Sequence, residues 1–211
     1  DVAEVDRLRR ERQRALEIAV PGLAPHRVVQ IAREYTPAGT IATADAGAHM
    51  FQAAEYWQAV SPGEFLISNG LATMGFALPA AIAAQLAHPE RRVLCLTGDG
   101  GFMMVVSELE TVVRLRLPIT VIVFNDAALS LIEVKQEQKG YTGASMRYAG
   151  LDLAALARSF GVAARVVTDE AGLRGALIAA QGEAGPTLID ARIDPSGYRQ
   201  RLEIARGTPR A

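Results

Sequence analysis

Two short segments carry residue types able to hold a phosphorylated ligand through a metal ion. The first, Gly98-Asp99-Gly100-Gly101-Phe102, directly follows the apolar run 92–97 and precedes a helical pattern. Glycines allow a sharp turn and a close backbone approach to phosphate, and free N–H groups at a helix start add partial positive charge. An aspartate at that point repels a diphosphate unless a cation lies between them. Mg²⁺ takes six oxygen ligands and commonly joins one or two carboxylates to phosphate oxygens. A second oxygen ligand is therefore expected from a neighbouring strand end. The next apolar run, 119–124, ends in Asn125-Asp126-Ala127-Ala128, which puts Asp126 27 positions after Asp99, the span of one strand–helix–strand step. Gly-Asp-Gly alone is common in turns; the pairing of the two segments is what points to a metal–diphosphate site.

Alternating elements must position these ends. Pro25 opens a helical pattern through Val28, Val29, Ile31, Ala32 and Tyr35, and 40–45 reads as a strand. A helix to about Trp57, a strand at 65–67 and an alanine-rich helix over 75–88 follow. Strands at 92–97 and 119–124 flank a helix over 105–115. After a loop at 140–150, helices near 151–160 and 170–181 flank a strand at 164–167, and 186–193 closes the set. Such uniformly apolar strands alternating with helices predict an α/β fold, a doubly wound, mostly parallel sheet with helices on both faces. Its ligands bind beyond the carboxyl ends of the strands. The domain is expected over 25–195. A charged leading helix or linker at 1–24 precedes it, and a C-terminal tail at 196–211 follows, ending near Gly207-Thr208-Pro209.

The pattern resembles the thiamine-diphosphate enzymes of the acetolactate synthase and pyruvate decarboxylase type, specifically their C-terminal diphosphate-binding domain. The likeness implies thiamine diphosphate and Mg²⁺ as cofactors. The metal would be held by Asp99, Asp126 and the Ala128 carbonyl, with Asn125 as the alternative ligand. The stretch Ser68-Asn69-Gly70-Leu71-Ala72-Thr73-Met74-Gly75-Phe76-Ala77-Leu78-Pro79 is similar to a family segment in which Asn69, Ala72 and Ala77 here replace glycines. That similarity implies that Met74 wedges the cofactor rings into a V, while the Ala72 carbonyl and the Met74 N–H hold the aminopyrimidine edge. Asp45-Ala46-Gly47-Ala48-His49 resembles the turn that meets the diphosphate, with Ala48 in place of the usual glutamine. Gly98, Gly100 and Gly101 would cradle the phosphates, and Ala128-Leu129-Ser130-Leu131 would open the helix that wraps them.

The same likeness implies a 2-keto acid substrate, decarboxylated and then ligated to a second carbonyl. It also implies a homo-oligomer and a facing pyrimidine-binding domain, of the same or a partner subunit, that supplies the activating glutamate. No catalytic residue is expected in this chain, and 211 residues leave no room for that second domain. Glu108 and Glu110 read as helix surface. Lys135 stands where biosynthetic relatives carry a channel-lining tryptophan, which points away from standard branched-chain synthesis. Two further readings are a diphosphate-binding subunit of a split decarboxylase or lyase, and a non-catalytic nucleotide-binding domain. The second lacks the spaced glycines of a dinucleotide site and the Gly-Lys-Ser/Thr of a P-loop.

Bulk properties restrict the remaining classes. With 22 basic and 23 acidic side chains there is no general charge to attract nucleic acid or an anionic membrane. No stretch approaches the ~18 apolar residues of a membrane span. The lone Cys95 sits in an apolar run and rules out an internal disulfide, which suits the cytoplasm. Asp1 stands where an initiator Met is absent, so the chain reads as a piece of a longer protein.

Overall fold

A computed structural model describes residues 1–142 and 145–205. Loop positions 143–144 and the Gly207-Thr208-Pro209 ending lie outside the described residues. In chain order the elements are α1 (Val2–Leu16), α2 (Pro25–Glu34), β1 (Ile41–Ala44), α3 (Ala48–Tyr56), β2 (Phe65–Ile67), α4 (Ala77–Ala87), β3 (Val93–Gly98), α5 (Asp99–Met104), α6 (Glu108–Arg114) and β4 (Ile119–Asn125). There follow α7 (Ser130–Gln138), α8 (Leu153–Ser159), β5 (Ala163–Val167), α9 (Glu170–Gly182), β6 (Thr187–Arg192) and α10 (Tyr198–Ala205).

The six strands form one sheet in the order β2-β1-β3-β4-β6-β5, and every neighbouring pair is parallel. The central strands β3 and β4 are buried almost throughout, which is why they read as unbroken apolar runs. One face packs against α2, α3, α9 and α10 through Val28, Ile31, Ala53, Leu173, Leu177 and Leu202. The other packs against α4, α5, α6 and α8 through Leu78, Ala81, Phe102, Leu109, Val112 and Leu153. The helices following β1 and β3, neighbours in the sheet, thus leave toward opposite faces. A crevice opens between them at the carboxyl edge, the switch point where such folds bind ligands.

The helix expected over 105–115 starts only at Glu108, and a separate short helix, α5, precedes it, because the chain breaks at 105–107. The adjacent Val105 and Val106 are β-branched and disfavour continuous helix, and both pack half-buried against the core below. The amino-terminal stretch folds as α1, capped by the Asp1 side chain on the Ala3 N–H at 3.1 Å. Tyr56 donates to the Gln13 carbonyl at 2.9 Å, and the Arg201 guanidinium donates to the Leu16 carbonyl, so α1, α3 and α10 are tied together. Leu23 pairs with Ile193 in a single parallel bridge beside the sheet.

Candidate functional site

Each wall of the crevice is a strand end. After β1, the Ala46-Gly47-Ala48-His49 turn begins α3. After β3, Gly98 leads into the Asp99-Gly100-Gly101 turn of α5. After β4, Asp126 and Ala128 precede Leu129, Ser130 and Leu131 at the start of α7. The turn before α4 brings Ala72 and Met74 across the opening, and all of these residues line one cleft. All the sequence-predicted site residues are therefore brought together, except the alternative ligand Asn125. Phe124, Ile132 and Tyr198 also line the cleft and were not anticipated.

The two candidate metal ligands differ in setting. Asp99 is 4% exposed; its Oδ2 accepts the Ala127 N–H at 2.8 Å and its Oδ1 the Gly100 N–H at 2.7 Å. Burial raises its pKa above the ordinary carboxylate value, against the lowering effect of these bonds and of the facing Tyr148 hydroxyl. Asp126 accepts the Ser130 hydroxyl at 2.5 Å. Burial, reinforced by the negative charge of Asp99, pushes Asp126 up to about 6. Two largely desolvated carboxylates within reach of each other's charge are an arrangement that a divalent cation relieves.

Asn125 points elsewhere. Its Nδ2 donates to Oδ1 of the fully buried Asp190 at 2.8 Å, and Arg192 lies 2.8 Å from the other Asp190 oxygen. This arrangement favours Asp126 over Asn125 as a ligand. No group of three or more His, Cys, Asp or Glu converges on a metal position among the described residues. A cation at Asp99 and Asp126 must then take its other oxygens from the backbone, a ligand and water.

The cleft fits a diphosphate on two observations. His49 is 4% exposed, yet its Nε2 has no hydrogen-bond partner. Its ring stacks on Phe124 at 5.3 Å, and burial lowers its pKa to about 4, leaving it neutral near pH 7. A buried ring nitrogen without a partner is costly unless a ligand satisfies it. The β3–α5 turn also has no space to spare. A Cβ on Gly98 would lie 3.0 Å from His49 Cε1, and one on Gly100 2.6 Å from Leu129 Cδ2.

Asp45 is the positioning residue whose role the sequence did not reveal. Completely buried at the end of β1, it accepts the N–H groups of Gly75 and Phe76, each at 2.9 Å. It also accepts the Thr97 hydroxyl at 3.1 Å. One carboxylate thus fixes the Met74 turn to the ends of β1 and β3. Within that turn Ala72 adopts φ +49°, the left-handed region that favours glycine, and Ala127 beside the candidate metal ligands does the same at +56°. Ala127 is held there by the segment after the loop: the Leu129 N–H donates to the Met146 carbonyl at 2.8 Å, and the Tyr148 N–H to the Ala127 carbonyl at 3.0 Å.

Residues outside the cleft take ordinary roles. Glu110 pairs with Arg114 at 2.9 Å, and Glu108 accepts the Thr111 hydroxyl at 3.3 Å. Lys135 is exposed on α7. Cys95 is fully buried on β3, where burial pushes its thiol well up. Among the described residues no helix is long and apolar enough to cross a membrane.

The chain is similar to known proteins over most of its length. The chain is 34% identical over 181 residues to an acetolactate synthase of Bacillus subtilis, covering 86% of this chain and 31% of that protein. It is 36% identical over 161 residues to the acetolactate synthase isozyme 2 large subunit of Escherichia coli, covering 75% and 29%. The chain therefore spans about a third or less of the length of these relatives. In structure it is similar to a thiamine diphosphate-dependent 4-hydroxybenzoylformate decarboxylase of Rhodococcus jostii RHA1. The TM-score is 0.78 at 24% identity, over 84% of this chain and 34% of that one, a likeness of fold. Residues 45–191 match the model of the thiamine pyrophosphate enzyme C-terminal TPP-binding domain. That span runs from the Asp45 anchor to the end of the sheet, and with it the chain belongs to the thiamine pyrophosphate enzymes and contains their C-terminal cofactor-binding domain.

Proposed function

We propose that this chain is the diphosphate- and Mg²⁺-holding part of an acetolactate synthase-like enzyme acting on 2-keto acids, by decarboxylation followed by carboligation. The observation that carries the reading is the convergence of Asp99, Asp126 and the unpartnered His49 Nε2 on one cleft at the switch point. Asp99, Asp126 and the Ala128 carbonyl hold the metal. His49 and the backbone N–H groups of the 46–49 and 98–101 turns meet the phosphates, and the start of α7 closes over them. The Ala72 carbonyl and Met74 N–H face the aminopyrimidine, and the Met74 side chain sets the ring angle. Bound thiamine diphosphate supplies the nucleophilic carbon and the electron sink for breaking and forming bonds next to a carbonyl.

No residue of this cleft is assigned to activating the cofactor; a facing pyrimidine-binding domain, of the same or a partner subunit in a homo-oligomer, provides that carboxylate. The exposed apolar Leu71 and Met104 beside the cleft suit such a covering surface. Lys135, exposed one turn beyond Leu131, favours catabolic or related carboligation over branched-chain synthesis. The single, deeply buried cysteine suits the reducing cytoplasm.

The test is calorimetry on the intact protein with thiamine diphosphate, NAD and ATP, each with and without Mg²⁺, followed by release of carbon dioxide and acetolactate from pyruvate. Metal-dependent binding of thiamine diphosphate alone, with turnover of pyruvate, is expected. The isolated chain should bind weakly and turn over nothing until the pyrimidine-binding domain is added. Preferential binding of NAD or ATP overturns the reading. Carbon dioxide release without carboligation turns it toward a simple decarboxylase.

A further inference from the structure

The carboxy-terminal helix enters the cleft. Tyr198, the first residue of α10, lines it together with Asp126, His49 and Ser130, although it lies beyond the last strand of the sheet. The residue is 4% exposed, and its ring packs in the same core cluster as Phe124 and Val134. Its hydroxyl makes no hydrogen bond among the described residues, whereas the other deeply placed phenol, Tyr56, donates to the Gln13 carbonyl at 2.9 Å. A phenol that lines a cleft without a hydrogen-bond partner there has its donor free for a ligand. Asp126 and Asp99 lie close enough that their charge, after burial, helps raise the Tyr198 pKa far above its usual value. The group is a neutral donor at the metal end of the cleft.

Its position is fixed from several sides. The Asp194 carboxylate accepts the Gly22 N–H at 3.1 Å and the Ser196 N–H at 3.0 Å, and the Asp194 N–H donates to the Leu23 carbonyl at 2.9 Å. One turn into α10, the buried Arg201 donates to the Leu16 carbonyl and lies 5.0 Å over the Tyr56 ring. The tyrosine is therefore held before any ligand arrives. A rigid donor loses little freedom on binding, which is what makes one hydrogen bond worth having.

We propose that the Tyr198 hydroxyl is a binding group for the metal-held diphosphate, donating to a phosphate oxygen from the side opposite the glycine turn. The proposal rests on the assignment of this cleft to thiamine diphosphate. It makes α10 part of the cofactor site, and the site then draws on the whole chain from β1 to the carboxy-terminal helix.

The experiment is calorimetry on the intact protein and its Tyr198→Phe variant, in Mg²⁺, with three probes: thiamine diphosphate, inorganic pyrophosphate and thiamine. Thermal unfolding of both proteins is recorded without ligand. Phenylalanine keeps the packed ring and removes only the donor. Affinity for thiamine diphosphate and for pyrophosphate should fall about tenfold, as for a lost hydrogen bond to a charged acceptor. Thiamine affinity and the ligand-free melting temperature should stay unchanged. An unaltered pyrophosphate affinity overturns the proposal, as does an equal loss for thiamine. A marked fall in ligand-free stability does so too, since it makes the hydroxyl structural. If the parent binds thiamine diphosphate and the variant matches it, only the role of Tyr198 falls. A parent that binds none of the three probes overturns the assignment of the cleft and the role of Tyr198 together.

Discussion

A Cβ atom on Gly101 would stand 2.1 Å from Oδ2 of Asp45, the oxygen that accepts the Gly75 N–H. The α5 turn and the carboxylate that anchors the Met74 turn are in direct contact, with no volume between them. Gly101→Ala must push Asp45 from its place and so move Met74. Overpacking at such a contact costs about 1–3 kcal/mol. Urea unfolding should show that loss, and thiamine diphosphate binding should weaken in parallel. An alanine variant with the parent's stability and affinity would show that the two turns move independently.

Asp99→Ala should remove the metal dependence of cofactor binding. Without a cation, the diphosphate meets negative charge at a few ångströms in a partly desolvated cleft. Titration with Mg²⁺ at fixed thiamine diphosphate gives the answer directly. Undiminished metal-dependent affinity would place the metal elsewhere.

Asp126→Asn should keep cofactor binding at lower metal affinity, since an amide oxygen can replace one carboxylate oxygen. It should also change stability with a definite pH signature. Burial and the charge of Asp99 raise the folded pKa of Asp126 to about 6, from an ordinary value of 3.8. Stability is therefore fully present below the unfolded value and is lost as pH rises through 6. The loss is on the order of 3 kcal/mol in the metal-free protein. The asparagine variant should be more stable than the parent at pH 7, equal to it near pH 4, and lose its advantage when Mg²⁺ is added. Burial holds His26 and His49 at about 4 and lowers stability below pH 6.5 in both proteins alike, so the difference between them is unaffected. Equal melting temperatures at pH 7 without metal would remove the assigned strain.

Met74→Ala should slow turnover in the intact enzyme more than it weakens cofactor binding. The phosphate contacts survive, but the rings lose their set angle, and misplacement by about 1 Å can cost 100-fold in rate. Steady-state rates at saturating cofactor separate the two effects; an unchanged rate makes Met74 a packing residue only.

Ala72→Gly should stabilise the protein, since a left-handed alanine costs about 1–2 kcal/mol, of which the extra freedom of unfolded glycine takes back about half. A thermal melt should show a gain of up to about 1 kcal/mol. A loss would mean that the Ala72 methyl group makes a contact worth more than the strain.

What the sequence disclosed and what it withheld divide along a physical line. Asp99 and Asp126 were legible because a carboxylate beside glycines at a strand end has few other uses, and their spacing is set by the crossover itself. The strands were legible because burial on both faces removes polar residues from β3 and β4. In the sequence Asp45 is only one residue of a turn. Its partners are backbone N–H groups at Gly75 and Phe76, and a backbone donor carries no residue-type signal. Tyr198 was hidden within a stretch read as a tail, because only the packing of α10 against α1 and α7 brings it back over the sheet. The break at 105–107 was hidden because two valines fit an apolar helix face as well as a helix end.

The strand order also dictates when the cleft can exist. Val93 pairs with Ile119 and Ala163 with Thr187, partners close in the chain, whereas Ile41 must find Val93 and Thr120 must find Thr187. Pairings across long intervening segments bear the greatest loop-closure entropy and govern folding speed. The crevice lies between β1 and β3, one of these distant pairs, but its walls are the turns beyond the strand ends, and these settle only once the strands have paired. A ligand that needs the finished crevice has nothing to grip in the transition state. Cofactor and metal should leave the refolding rate untouched and act wholly by slowing unfolding.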